Sequence, residues 1–177
     1  MAFTRTQAGV AAGMAGGFAL TVAAFAWPHL PAVPDDTEGR LALWLDCSLL
    51  ACLWLVVSVA LLARHRFFTP EDIDGGGLSN GTPKAKLLQS LIQNTLEQAL
   101  LAVVAYGAWL WLGPENRRGL VVVCALYFAV GRLLFFAGYS RGAPWRALGF
   151  TLTFYPTVGL YLLLLPAIVR QVIGSLA

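Results

Sequence analysis

Five stretches of the chain, residues 8–27, 42–63, 98–112, 119–137 and 148–169, are almost free of charge. A helix needs about 20 apolar residues to cross the hydrocarbon core of a bilayer. Four of the stretches meet that requirement. The run at 98–112 is short, but polar residues at helical spacing continue the same helix back to about Lys84. None of the runs shows the regular polar alternation of a membrane β-strand. Helices satisfy their own backbone groups where there is no water, so the pattern predicts five membrane-spanning helices.

Composition agrees. Of 177 residues, 58% are hydrophobic and 12% are charged, about half the charged share of a soluble domain. The basic residues also sort by loop. Arg5, Arg64, Arg66, Lys84, Lys86, Arg141 and Arg146 fall at one end of the predicted bundle, and Arg40, Arg117, Arg118 and Arg170 at the other. The richer end is expected to face the cytoplasm, with Asp35, Asp36 and Glu38 outside. The net charge of +3 reflects this asymmetry. No basic stripe with base-stacking aromatics is present, so no nucleic-acid partner is expected. The protein is expected to be a multi-pass integral protein of a bacterial inner (cell) membrane.

The first run allows two readings. Arg5, an apolar stretch and a Pro-rich segment ending in "LPA" before Val33 fit a secretory signal peptide. The apolar stretch is long for that role, and Gly13, Gly16 and Gly17 suit close packing on a neighbouring helix. Retention is favoured. The chain then divides into residues 1–32, an N-terminal transmembrane helix or signal-anchor, and residues 33–177, a helical membrane domain.

Polar groups inside a bilayer are costly and need a reason. Lys86, Gln89, Ser90, Gln93, Asn94 and Glu97 recur every three or four residues, on one face of the third helix. The other face carries Leu88, Leu91, Thr95 and Leu96. The stripe fits interhelical hydrogen bonding or a polar ligand pocket opening to the cytoplasm. Arg132 is a second charge at similar depth, and a Glu97–Arg132 pair would lower the cost of burying either. Tyr139 lies seven residues on, on the same helical face. Arg141 and Arg146 follow, as a cationic mouth to the pocket or as topological anchors. Asp46 is expected one turn inside the outer end of the second helix, solvated at the interface. Cys47, Cys52 and Cys124 have no metal-ligand spacing and read as small packing residues. His29 and His65 are placed in separate loops, and no metal site is expected. Gly75, Gly76 and Gly77 lack the following Lys-Ser/Thr of a phosphate loop and read as a flexible turn.

Three segments together resemble the MAPEG family, the membrane-associated proteins in eicosanoid and glutathione metabolism. "FFTPEDIDGGG" is similar to the loop between that family's first two helices. "QNTLEQ" is similar to its Asn-x-x-Glu motif. "VGRLLFFAGYSRGAPWRALGF" is similar to the Arg, Gly-Tyr and Arg pattern of its third and fourth helices. The likeness covers about residues 42–170. It implies an all-α integral membrane protein, a four-helix transmembrane bundle with one additional N-terminal transmembrane helix, assembled as a homotrimer.

It also implies a glutathione site between subunits and no metal. Asn94 and Glu97 would hold glutathione, Glu97 facing its amino end. Arg132 and Tyr139 would line the site, with Arg141 as another basic residue there. Arg146 matches the arginine that stabilises the thiolate. The implied function is a glutathione-dependent transferase or peroxidase acting on lipophilic electrophiles or hydroperoxides. The partners would be a second copy of the chain, a lipophilic small molecule and membrane lipid. The alternative is a non-catalytic lipid-binding or accessory membrane protein of the same fold. Some positions depart from the family pattern. Ser90 and Gln93 stand where members have arginine, and Gln98 and Phe135 where some have tyrosine.

Overall fold

The computed structural model describes residues 4–174. The ends of the two predicted segments, residues 1–3 and 175–177, lie outside the described residues. Five long helices account for the fold: α1 (Arg5–Ala26), α2 (Thr37–Phe67), α3 (Pro83–Leu112), α4 (Leu120–Gly138) and α5 (Ala143–Gly174). All five are long and apolar enough to cross a membrane. Short 3-10 turns at Pro70–Asp72, Glu115–Arg117 and Tyr139–Arg141 make three of the connections. No strand occurs among the described residues.

Local chemistry sets the helix ends. Thr4 and Gln7 form a reciprocal capping box at the start of α1. Asp36 accepts from the Gly39 N–H to cap α2, and Thr82 caps α3 ahead of Pro83 at its first position. Gly113 and Pro114 stop α3. Gly142 has φ +98°, a conformation that favours glycine, and turns the chain from the 3-10 turn into α5.

The helices form two packed groups, α2 on α3 and α5 between α1 and α4. Trp44 ties the first group by donating its indole N–H to the Val103 carbonyl at 2.9 Å. Gly131 and Gly149 bring α4 and α5 close, since a side-chain carbon on Gly131 would stand 2.8 Å from the Gly149 carbonyl oxygen. The main core, toward the α3–α4 connection, contains Ala51, Ala102, Tyr106, Leu110, Val121, Phe128 and Leu160. Cys47 and Cys124 serve there as small apolar groups. A smaller cluster of Leu62, Ala85, Leu88, Leu91 and Phe135 fills the end near the α2–α3 connection.

Helix α1 is packed along its length. Gly9, Gly13 and Gly17 face Pro144, Ala147 and Thr151 of α5. The Thr151 hydroxyl donates to the Gly13 carbonyl at 3.3 Å. At the outer end, the Arg117 guanidinium donates to the carbonyls of Trp27 and Phe25, two of the orphan acceptors a helix end leaves.

Two sequence expectations need correction. Asp46 sits nine residues past the start of α2, deeper than one turn, because Asp36 begins that helix earlier than the apolar run suggests; its side chain is exposed. His65 is not in a loop but in the last turns of α2, held by a polar cluster described below.

Candidate functional site

The site is built where the glycine contacts draw α4 and α5 together. Arg132 is fully buried. Its guanidinium donates to Asn94 Oδ1 at 2.9 Å and to Thr153 Oγ1 at 2.7 Å. The same group lies 4.4 Å from the centre of the Phe135 ring and 5.6 Å from that of Phe128, a favourable place for a cation. The expected Glu97–Arg132 pair is not formed. Glu97 lies on the outer side of α3, is exposed, and accepts from the Gln93 side-chain amide at 2.7 Å. One helical turn separates Asn94 from Glu97 in depth, but only Asn94 is turned far enough toward α4 for Arg132 to reach it.

A ladder runs from Arg132 toward the α4–α5 connection. Phe135 meets Tyr139 edge-on at 5.1 Å between ring centroids, and the Arg146 guanidinium lies 4.5 Å from the Tyr139 ring centre. Beside this ladder is a cleft of about 370 Å³. Tyr139 and Arg146 line it at the far end of the ladder, and Asn94 lines it near Arg132, about two helical turns away. Phe135, Phe150 and Tyr155 add aromatic rings to its wall, and Val10 and Met14 of α1 also line it. Ligand clefts run from about 300 to 1,000 Å³, so this one fits a compact group or one end of a larger molecule.

Of the six candidate residues, the structure brings Asn94, Tyr139 and Arg146 together at the cleft and sets Arg132 behind them. Arg141 is exposed and stacks on Trp145, 5.5 Å from that ring's centre, away from the cleft. Glu97 is on the exposed stripe with Lys86, Gln89, Ser90 and Gln93. Ser90, at a departing position, donates to the Lys86 carbonyl at 3.0 Å. Gln98, another departure, is buried on a different face.

The family model for MAPEG matches residues 42–166. The chain belongs to the MAPEG family. The match spans α2 to α5 and leaves α1 outside it. No curated protein and no solved structure gives a significant match. The MAPEG family includes glutathione transferases and peroxidases, and its members are membrane-embedded and oligomeric.

Sequence reasoning missed several groups that shape this cleft and the adjoining loop. Thr153 holds the second branch of Arg132; its signal was a row of threonines, Thr151, Thr153 and Thr157, in an otherwise apolar helix. Phe150 and Tyr155 form a wall that the apolar run concealed. In the loop between α2 and α3, Asp72 is buried and accepts from the Thr82 hydroxyl at 2.6 Å, the Thr82 N–H at 2.7 Å and His65 Nε2 at 2.8 Å. The Thr82 hydroxyl does most to hold the Asp72 carboxyl below its ordinary range; burial opposes it, and the Thr82 N–H and His65 add to the lowering. This cluster fastens the loop to the start of α3. Beside it, Gly75 and Gly81 have φ +79° and +67°, so the glycine turn is a shaped one. The loop borders a second cavity of about 500 Å³ with Arg66, Lys86 and Gln89 on its walls. No cluster of three or more metal-ligating side chains occurs among the described residues.

Proposed function

We propose that this MAPEG protein is a glutathione-dependent transferase or peroxidase acting on lipophilic electrophiles or hydroperoxides. The observation that carries this reading is a cleft lined by Arg146, Tyr139 and Asn94 and otherwise mostly by apolar groups. A thiol with a pKa of about 8.5 is mostly protonated at neutral pH. A guanidinium beside the thiol favours the thiolate, and so does the positive end of α5, in whose first turn Arg146 lies. Each unit of lowering corresponds to about 1.4 kcal/mol. Arg146 itself stays protonated, so the thiol proton leaves to water or substrate. Asn94 offers an amide to the tripeptide backbone, and Arg132 acts through Asn94 by fixing its oxygen. In this reading Arg132 is a positioning residue.

The exposed stripe of Lys86, Gln89, Ser90, Gln93 and Glu97 supports assembly. Glu97 lies about 21 Å along α3 from its start, too deep to face hydrocarbon without cost. A second copy of the chain would cover it, and the homotrimer is the proposed state. Glutathione would then extend from the cleft along the stripe, its amine toward Glu97. Arg141, stacked on Trp145, serves glutathione only if the neighbouring copy comes near it. The proposed setting is a bacterial inner (cell) membrane.

The test is turnover by purified protein in lipid, with glutathione and either a hydrophobic aryl halide or a lipid hydroperoxide. Conjugation or peroxide reduction above the uncatalysed rate, and much weaker in Arg146→Ala, is expected. Absence of turnover and of glutathione binding at millimolar concentration refutes the reading. A second reading, non-catalytic lipid binding, is favoured by the largely apolar lining and by serine at position 90. It predicts co-purifying lipid and indifference to Arg146→Ala.

A further inference from the structure

We propose that α1 is a discriminating wall of this cleft, with Met14 setting the size of the apolar group that the cleft accepts. The inference rests on the glutathione-dependent reading for its chemistry and requires that residues 1–32 stay attached to the bundle.

Two adjacent rows of α1 do different things. The glycine row is sealed. A side-chain carbon at Gly9 would stand 2.8 Å from Pro144 Cβ, one at Gly13 would stand 2.7 Å from Ala147 Cβ, and one at Gly17 would overlap the Thr151 hydroxyl. No ligand passes between α1 and α5 along that seam. The next row, Val10, Met14 and Phe18, is rotated by one residue. Val10 and Met14 line the cleft opposite Phe150 and Tyr155. Phe18 meets the Tyr155 ring edge-on, with centroids 6.4 Å apart, and limits the cleft toward the outer side. An apolar molecule from the bilayer therefore enters past Met14, which is 46% exposed.

The chemistry of the lining names the ligand class. Asn94, Tyr139, Arg146 and the Thr151 hydroxyl are its polar lining; the rest is mostly hydrocarbon, aromatic rings and a thioether. The occupant has a polar reacting group and an alkyl or aryl body. Methionine is unbranched and adaptable, so Met14 admits a range of bodies up to the space left by Phe18 and Tyr155. Because α1 lies outside the 42–166 match, it can alter substrate range while leaving Arg146 and Asn94 untouched.

The experiment uses the full chain in lipid vesicles with glutathione and chloronitrobenzenes carrying alkyl chains of increasing length. With rates referred to the substrate concentration in the lipid, which is as apolar as the cleft, kcat/KM is expected to hold a plateau while the alkyl chain fits the cleft and to fall several-fold once it does not. Met14→Ala should move the end of the plateau to longer chains, and Met14→Trp to shorter ones. Val22→Trp, on α1 but away from the cleft, should leave the profile as it is. A chain-length profile identical in all four proteins overturns the proposal while leaving the glutathione reading intact.

A second measurement stands apart from turnover. An apolar aryl diazirine is photoactivated in the same vesicles, and its adducts are mapped by mass spectrometry together with the intact mass. Saturable labelling of the peptides holding Met14 and Phe150, suppressed in Met14→Trp, supports the wall even if no turnover is found. Non-saturable labelling spread over the lipid-facing residues, or an intact mass lacking α1, overturns it.

Discussion

Replacing Arg132 by methionine separates two roles for that residue. The guanidinium makes two charge-assisted hydrogen bonds. Each is worth about 1.5–3 kcal/mol, so about 3–6 kcal/mol is lost with the charge. Against this stands the cost of holding an ion out of water, several kcal/mol even after relaxation. Arg132 is fully buried, and its Nε has no hydrogen-bond partner. Methionine keeps apolar contact with Phe128 and Phe135. Thr153 retains its own bond to the Phe150 carbonyl at 2.8 Å, so only the half-buried Asn94 oxygen loses a partner. The two terms nearly cancel, and Arg132→Met should change unfolding free energy by less than about 2 kcal/mol. Arg132→Ala adds a cavity and should cost about 3–5 kcal/mol, by analogy with other large-to-small core changes.

Binding responds differently. With Asn94 no longer oriented, glutathione should bind about tenfold more weakly, a loss of about 1.4 kcal/mol. Thermal unfolding in detergent, with and without glutathione, reads both quantities. Because Arg132 acts through Asn94, the double variant Arg132→Met/Asn94→Ala should bind no more weakly than Asn94→Ala alone. Additive losses would refute the positioning role and put the guanidinium in contact with the ligand.

Other expectations follow from single contacts. Gly17→Val overpacks the seam against Thr151, a buried side chain already bonded to carbonyls of both helices, and should cost about 1–3 kcal/mol, lowering Tm by about 2–12 °C. Arg146→Ala should lower kcat at neutral pH and move the rising, acidic limb of the rate profile up toward the free thiol's pKa, with Arg146→Lys intermediate; an unchanged profile denies Arg146 the thiolate. Asp72 has a depressed pKa, so its contribution is present above the unfolded value of about 3.9 and is lost as pH falls through the lower folded value. Asp72→Asn should weaken loop protection in amide exchange at neutral pH and flatten its acid dependence. Equal exchange in both proteins at pH 7 would contradict the clamp.

The helices and their order were legible because bilayer crossing constrains composition strongly: 20 apolar residues announce themselves. Capping carried Asp36 and Thr82 beyond the apolar runs, which is why α2 reaches Asp46 by its third turn. The candidate cleft was legible only in part: Asn94, Tyr139 and Arg146 line it, with Arg132 behind Asn94, whereas Glu97 and Arg141 lie off it. Period alone places Asn94 and Glu97 on one broad face; it cannot say that Arg132 reaches the first and not the second. That choice depends on how closely α4 approaches α5 at Gly131 and Gly149. Thr153 was hidden for the same reason, since a threonine in an apolar helix usually bonds its own backbone. The α1 wall was hidden because Met14 is apolar like its neighbours. Its meaning comes from the rotation that the glycine seam imposes.

The most direct test of the central claim is the ultraviolet absorption of glutathione bound to the purified protein at neutral pH. A thiolate band with release of the thiol proton is the predicted result, lost in Arg146→Ala even where glutathione still binds. Saturating glutathione that binds without a band, or no binding at all, would contradict the assignment of Arg146 and of the cleft.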